Sequence, residues 1–135
     1  MINFKLPERR QGPRIKFKEK VQVINAVLED GSTYSKLTKA VNLSERGMMV
    51  LLPKRLQMSS QAIVVFNLPD SSKSRITAKV LVIWVVPGEE EGFFNTGVQF
   101  IDLQPLKQTT IRAFLYDQRH INDDKNSPNL NPSAQ

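Results

Sequence analysis

Arginines at positions 9, 10 and 14, set around Gln11-Gly12-Pro13, place three guanidinium groups within six positions of one loop. Each guanidinium is a planar fork of donors that can give two parallel hydrogen bonds to a phosphate. The same fork fits the O6 and N7 acceptors of guanine, and its flat face can stack on a base. Lysine in these places would neutralise a phosphate but read guanine less well. A second cluster, Asn42-Leu43-Ser44-Glu45-Arg46-Gly47, follows further along the chain. Asn42 offers both donor and acceptor to a base edge, and Ser44 adds a hydroxyl. Gly47 allows either a positive φ or a close backbone approach. Together these types suit the holding of an anionic purine nucleotide. Singly, each has a plainer reading: a solvated basic arm for the first, good turn residues for the second.

Trp84 is the one tryptophan of the chain. It reads first as a core or helix-contact residue. Its functional reading is a wall on which a guanine stacks, since base–aromatic stacking contributes about 1–3 kcal/mol.

Composition narrows the chemistry. The 135 residues suffice for one domain with a real core, and are too few for two typical ones. There is no cysteine, and His120 is the single histidine. Disulfides, thiolate metal sites, cysteine nucleophiles and multi-histidine metal clusters are therefore excluded. Glu89-Glu90-Glu91 are consecutive, which suits a solubilising turn better than paired acid–base carboxylates. Neither a phosphate-binding P-loop nor a dinucleotide-binding glycine fingerprint is present. An enzyme is not expected, nor a metal or resident cofactor. The net charge of +6 is concentrated early, with Lys5, Arg9, Arg10, Arg14, Lys16, Lys18 and Lys20 facing only Glu8 and Glu19. Such a cluster favours anionic partners. The longest apolar run, Val80 to Val86, is far too short for a membrane span, and the N-terminus lacks an export-type apolar core. Cytoplasmic residence without membrane insertion is the expectation.

The elements that must position these residues are mostly strands. Residues 1–13 read as a flexible arm, broken by Pro7, Gly12 and Pro13. Ile15 to Leu28 alternates as one strand, or two broken near Glu19. Tyr34 to Val41, Met48 to Leu52, Ala62 to Leu68, Ile76 to Val86 and Phe94 to Ile101 follow, with Asn42 to Gly47 as a turn. From Val80 onward the fifth of these is apolar on both parities, which predicts burial on both sides. Asp102 is placed to cap a helix from Leu103 to about His120. Its stripe Leu103, Leu106, Ile111, Phe114 and Leu115 is expected to cover an exposed sheet face. Residues 121–135 read as a disordered tail. About six short strands with turns between them predict a mainly all-β chain, a six-stranded antiparallel β-barrel with one C-terminal helix over residues 14–120.

Arg10-x-x-x-Arg14 followed by Asn42-x-Ser44-x-x-Gly47 resembles the paired signature of PilZ domains, bacterial receptors for cyclic di-GMP. Both halves match without substitution, and Gly97-Val98-Gln99-Phe100 resembles a late barrel strand common in these domains. The resemblance covers roughly residues 8 to 116 and implies a single-domain receptor with its ligand on the outer barrel surface. Carried over, Arg10 and Arg14 contact guanine and phosphate, with Asn42, Ser44 and Gly47 opposite them. Arg9, just before the motif, implies an intercalated pair of ligands. Binding is expected to order the arm and alter a surface read by a protein effector, the receptor being a monomer or weak dimer. The competing readings are a small nucleic-acid-binding barrel, with Phe93 and Phe94 as platforms, and a PilZ-type interaction module without ligand.

Overall fold

In the computed structural model the residues described are 14–70 and 73–126, those from 120 onward by backbone only. Among these residues seven strands and one helix follow one another: β1 (Ile15–Lys16), β2 (Lys20–Val27), β3 (Thr33–Leu43), β4 (Gly47–Leu52), β5 (Gln61–Asn67), β6 (Arg75–Pro87), β7 (Phe94–Phe100) and α1 (Pro105–Asn126). The strands run antiparallel in the order β1-β3-β2-β5-β6-β7-β4, and β3 also pairs β4. That last pairing closes β2 to β7 into a six-stranded barrel, which removes open sheet edges. β1 is an extra strand laid on β3, so of the two sequence alternatives it is the pair broken near Glu19 that forms.

Side chains of alternating parity fill the barrel. Val21, Val23, Val50, Leu52, Val64, Phe66, Ile76 and Val80 are each no more than 2% exposed. The interior lacks a cover at one end, where the β1–β2 link, the β3–β4 turn and the start of β6 meet. Helix α1 supplies it by burying Ile111, Phe114 and Leu115. Phe17, in the β1–β2 link, packs edge-on against Phe66 and Phe114 at centroid distances of 5.8 and 5.9 Å. Phe66 in turn stacks on Phe100. Lys107 donates to the Arg75 carbonyl, and Arg112 binds Glu45.

Four expectations need correction. The helix begins at Pro105, not Leu103, because proline's fixed φ and missing N–H suit a first helical position; Asp102 is not its cap. It also runs on to Asn126, beyond His120. It closes the barrel's end rather than a sheet face, since a closed barrel has no open apolar face, and Leu106 is left 72% exposed. Finally, β6 is not buried on both sides past Val80: Ile83 is 40% and Val86 44% exposed. Those residues lie on the barrel's outside, which no other described element covers.

Candidate functional site

The two sequence clusters are joined by strand register. Ile15 pairs Leu43 and Lys16 pairs Asn42, so the residue before β1, the exposed Arg14, arrives beside the β3–β4 turn. Arg9 and Arg10 lie outside the described residues. Asn42 is not in the turn, as the sequence suggested. It is a strand residue, paired to Lys16 on one side and Met49 on the other.

From Asn42 a row of directly paired residues crosses the barrel. Asn42 faces Met49, Met49 faces Gly97, and Gly97 faces Trp84. Directly opposed residues on a sheet share one face. The row's neighbours in register, Leu43, Met48, Val98 and Val82, are the buried set, so Lys16, Asn42, Met49, Gly97 and Trp84 occupy the outer face.

Two β-bulges produce this arrangement. Ala40 points into the barrel at 2% exposure, and strict alternation would send Asn42 the same way. One extra residue, Val41, shifts the register between Ala40 and Asn42 and brings Asn42 outside. Between Val82 and Trp84 the extra residue is Ile83, and Trp84 likewise moves to the outer face. Bulges re-aim side chains in this way and cluster beside functional sites. Trp84 is therefore half-buried on the barrel wall, not in its core.

The turn itself is tightly built. The Ser44 backbone N–H donates to the Gly47 carbonyl at 2.8 Å, and its hydroxyl donates to the same oxygen at 3.3 Å. Ser44 is only 3% exposed, so in this state its hydroxyl faces the turn. Gly47 answers one of the two sequence alternatives: its φ is ordinary, and what it provides is room. A Cβ there would run into the Val98 carbonyl of β7, well inside 3.0 Å. Gly97 is similar but meets a side chain, since its missing Cβ is replaced by the edge of the Trp84 indole. Glu45, between Ser44 and Gly47, accepts from Arg112 of α1 at 2.6 Å, and that carboxylate raises the Arg112 pKa.

One polar atom is left over. The Asn42 Oδ1 is buried and has no hydrogen-bond partner among the described residues. An orphaned acceptor costs free energy unless something outside the fold completes it. Asn42, Ser44, Gly47 and Arg14 are thus brought together at one place, and Trp84 lies three strand spacings from Asn42 along the row, about 14 Å. Phe94, an expected nucleic-acid platform in the competing reading, carries the Arg55 guanidinium over its ring at 4.8 Å, and Phe93 is half-buried. Among the described residues no cluster of His, Asp or Glu could hold a metal ion. Nor, among those residues, is any helix long and apolar enough to cross a membrane.

Known proteins share this architecture. The Bacillus subtilis inhibitor of motility MotI/DgrA superposes with a TM-score of 0.68 at 17% identity, over 83% of this chain and 52% of its own. YcgR from Escherichia coli, solved in complex with c-di-GMP, gives 0.66 at 19% identity, over 88% and 50%. The chain thus spans about half the length of these two relatives. The PilZ domain of YcgR with c-di-GMP gives 0.59 at 17% identity, over 87% of this chain and 98% of that one. At such identities the likeness is one of fold. No curated protein matches the sequence. The family model for the PilZ domain matches residues 8–117. That span takes in the arginine leader, every strand of the barrel and most of the packed length of α1, so the chain belongs to the PilZ domain family.

Proposed function

We propose that this protein is a bacterial, cytoplasmic receptor for cyclic di-GMP, binding it on the outer barrel face beside the β3–β4 turn. The observation that carries the proposal is the β1–β3 register, which delivers Arg14 to Asn42, Ser44 and Gly47 from a distant part of the chain. Arg14 and Arg10 give charge-assisted hydrogen bonds to phosphate and guanine, and the orphaned Asn42 Oδ1 accepts from a base N–H. The Ser44 hydroxyl bonds the ligand by turning away from the Gly47 carbonyl, and Gly47 keeps β4 close to β7. Arg9 supplies a third guanidinium for a second, intercalated ligand. Binding draws residues 4–14 onto the barrel, and the composite surface so formed is what a protein effector reads.

Calorimetric titration with cyclic di-GMP, with GTP and cyclic di-AMP as controls, tests this reading. The wild type binds cyclic di-GMP alone, at two ligands per chain. Because a hydrogen bond to a charged group contributes about 1.5–3 kcal/mol, Arg14→Ala weakens binding about tenfold or more. A folded wild type that ignores cyclic di-GMP at micromolar concentration overturns the receptor, and one ligand per chain overturns the pair. Hydrogen exchange of residues 4–14 that ligand leaves unchanged overturns the arm closure.

A further inference from the structure

We propose that the binding surface continues past the signature residues along the whole outer row Lys16–Asn42–Met49–Gly97–Trp84. Lys16 takes a phosphate oxygen, and Met49 with the Trp84 indole forms a shelf for the flat face of a purine. The inference rests on the cyclic di-GMP reading; it assigns ligand contacts to Lys16 and Met49 and the seating of the indole to Gly97, none of which the paired motifs include.

The residues of the row are adjacent by backbone pairing, not by inference from sequence. Lys16 is exposed, sits directly beside Asn42, and has no acidic partner among the described residues. An ammonium so placed suits an anionic group held at the turn. Met49 is half-buried on the outer face, one strand further on. Its thioether is soft and polarisable, and makes favourable contacts with aromatic rings. Next comes Gly97, where the absence of a side chain lets the indole lie against the strand. A residue with any Cβ would lift the ring and break the shelf.

The row's chemistry is ordered along its length: cation, amide, thioether, bare backbone, indole. Charge and hydrogen bonding sit at the Lys16–Asn42 end, and the apolar shelf sits at the other. That polarity matches a ligand with phosphates and bases both, and does not match an apolar peptide. From Asn42 to Trp84 the distance is about 14 Å, more than one fused bicyclic ring can span, so the shelf serves a base other than the one held at the turn.

The experiment is a cyclic di-GMP titration of the full chain, read by calorimetry and by tryptophan fluorescence, with thermal melts as a check on folding. The variants are Lys16→Ala, Met49→Glu and Gly97→Ala, and the control is Leu37→Ala, an exposed β3 residue outside the row. Wild type binds with quenching of the indole emission. Met49→Glu, which brings a carboxylate onto the shelf, weakens binding at least tenfold, and Lys16→Ala weakens it several-fold and makes it less sensitive to salt. Gly97→Ala shifts the emission of the free protein and diminishes the quench, while Leu37→Ala behaves as wild type. Binding that Met49→Glu and Lys16→Ala leave at wild-type strength, or wild-type binding without any change in emission, overturns the shelf and leaves the receptor reading standing. A wild type that does not bind overturns both.

Discussion

Two cross-strand rows lie one residue apart on the same strands and serve different ends. The inner row, Ile15–Leu43–Met48–Val98–Val82, faces the barrel interior, and from Leu43 onward its members are at most 4% exposed. The outer row, Lys16–Asn42–Met49–Gly97–Trp84, is more open: Lys16 is exposed, Asn42, Met49 and Trp84 are half-buried, and Gly97 alone is buried, beneath the indole. The inner row is apolar throughout, while the outer one holds a cation, an amide and an indole. One ladder of backbone hydrogen bonds holds both. The core therefore sets the spacing of the outer residues before any ligand arrives, which is the preorganisation a tight site needs.

Substitutions on the two rows should separate stability from binding. Leu43→Ala leaves a cavity in the sealed interior and is expected to cost about 2–5 kcal/mol of stability in a denaturant titration. Asn42→Ala, one residue away, removes an orphaned acceptor instead; its denaturation midpoint stays level or rises while cyclic di-GMP affinity falls. Equal loss of stability in both variants would mean the rows are not distinct. Gly47→Ala forces a methyl against the backbone of β7, which cannot yield as a side chain can, and about 1–3 kcal/mol is expected to be lost. Gly97→Ala meets only the indole edge, so its melting temperature should fall less. Thr96, inside the barrel at 0% exposure, has a buried hydroxyl with no partner among the described residues. Thr96→Val is expected to raise stability by about 1 kcal/mol and to leave ligand affinity alone.

Most strands could be read from the sequence because their alternation is local. The break before β2, the stop of β4 at Pro53 and the polar turn after Leu68 all show as residue types in place. The outer row could not be read, because it depends on register between strands far apart in the chain. Counting parity from Ala40 or Val82 sends Asn42 and Trp84 inward, and only the bulges at Val41 and Ile83 reverse this. A bulge is one more residue of ordinary type, with no glycine or proline to mark it here. The helix start was displaced by a local rule applied too soon, since Asp102 looks like a cap until Pro105 is given its preferred place. Gly47 was identified as special, but whether for φ or for room depended on β7 lying against it.

Phe17 stands three residues beyond Arg14, wedged between Phe66 of the barrel and Phe114 of α1. The helix is therefore a keystone for the proposed recognition face as well as a lid on the core. Shortening the chain ahead of Phe114 would strip that ring of a neighbour and loosen β1, whose two residues alone align Lys16 with Asn42. The messenger capture proposed for the barrel wall would then fade through damage done at its far end, without any proposed contact residue having been touched.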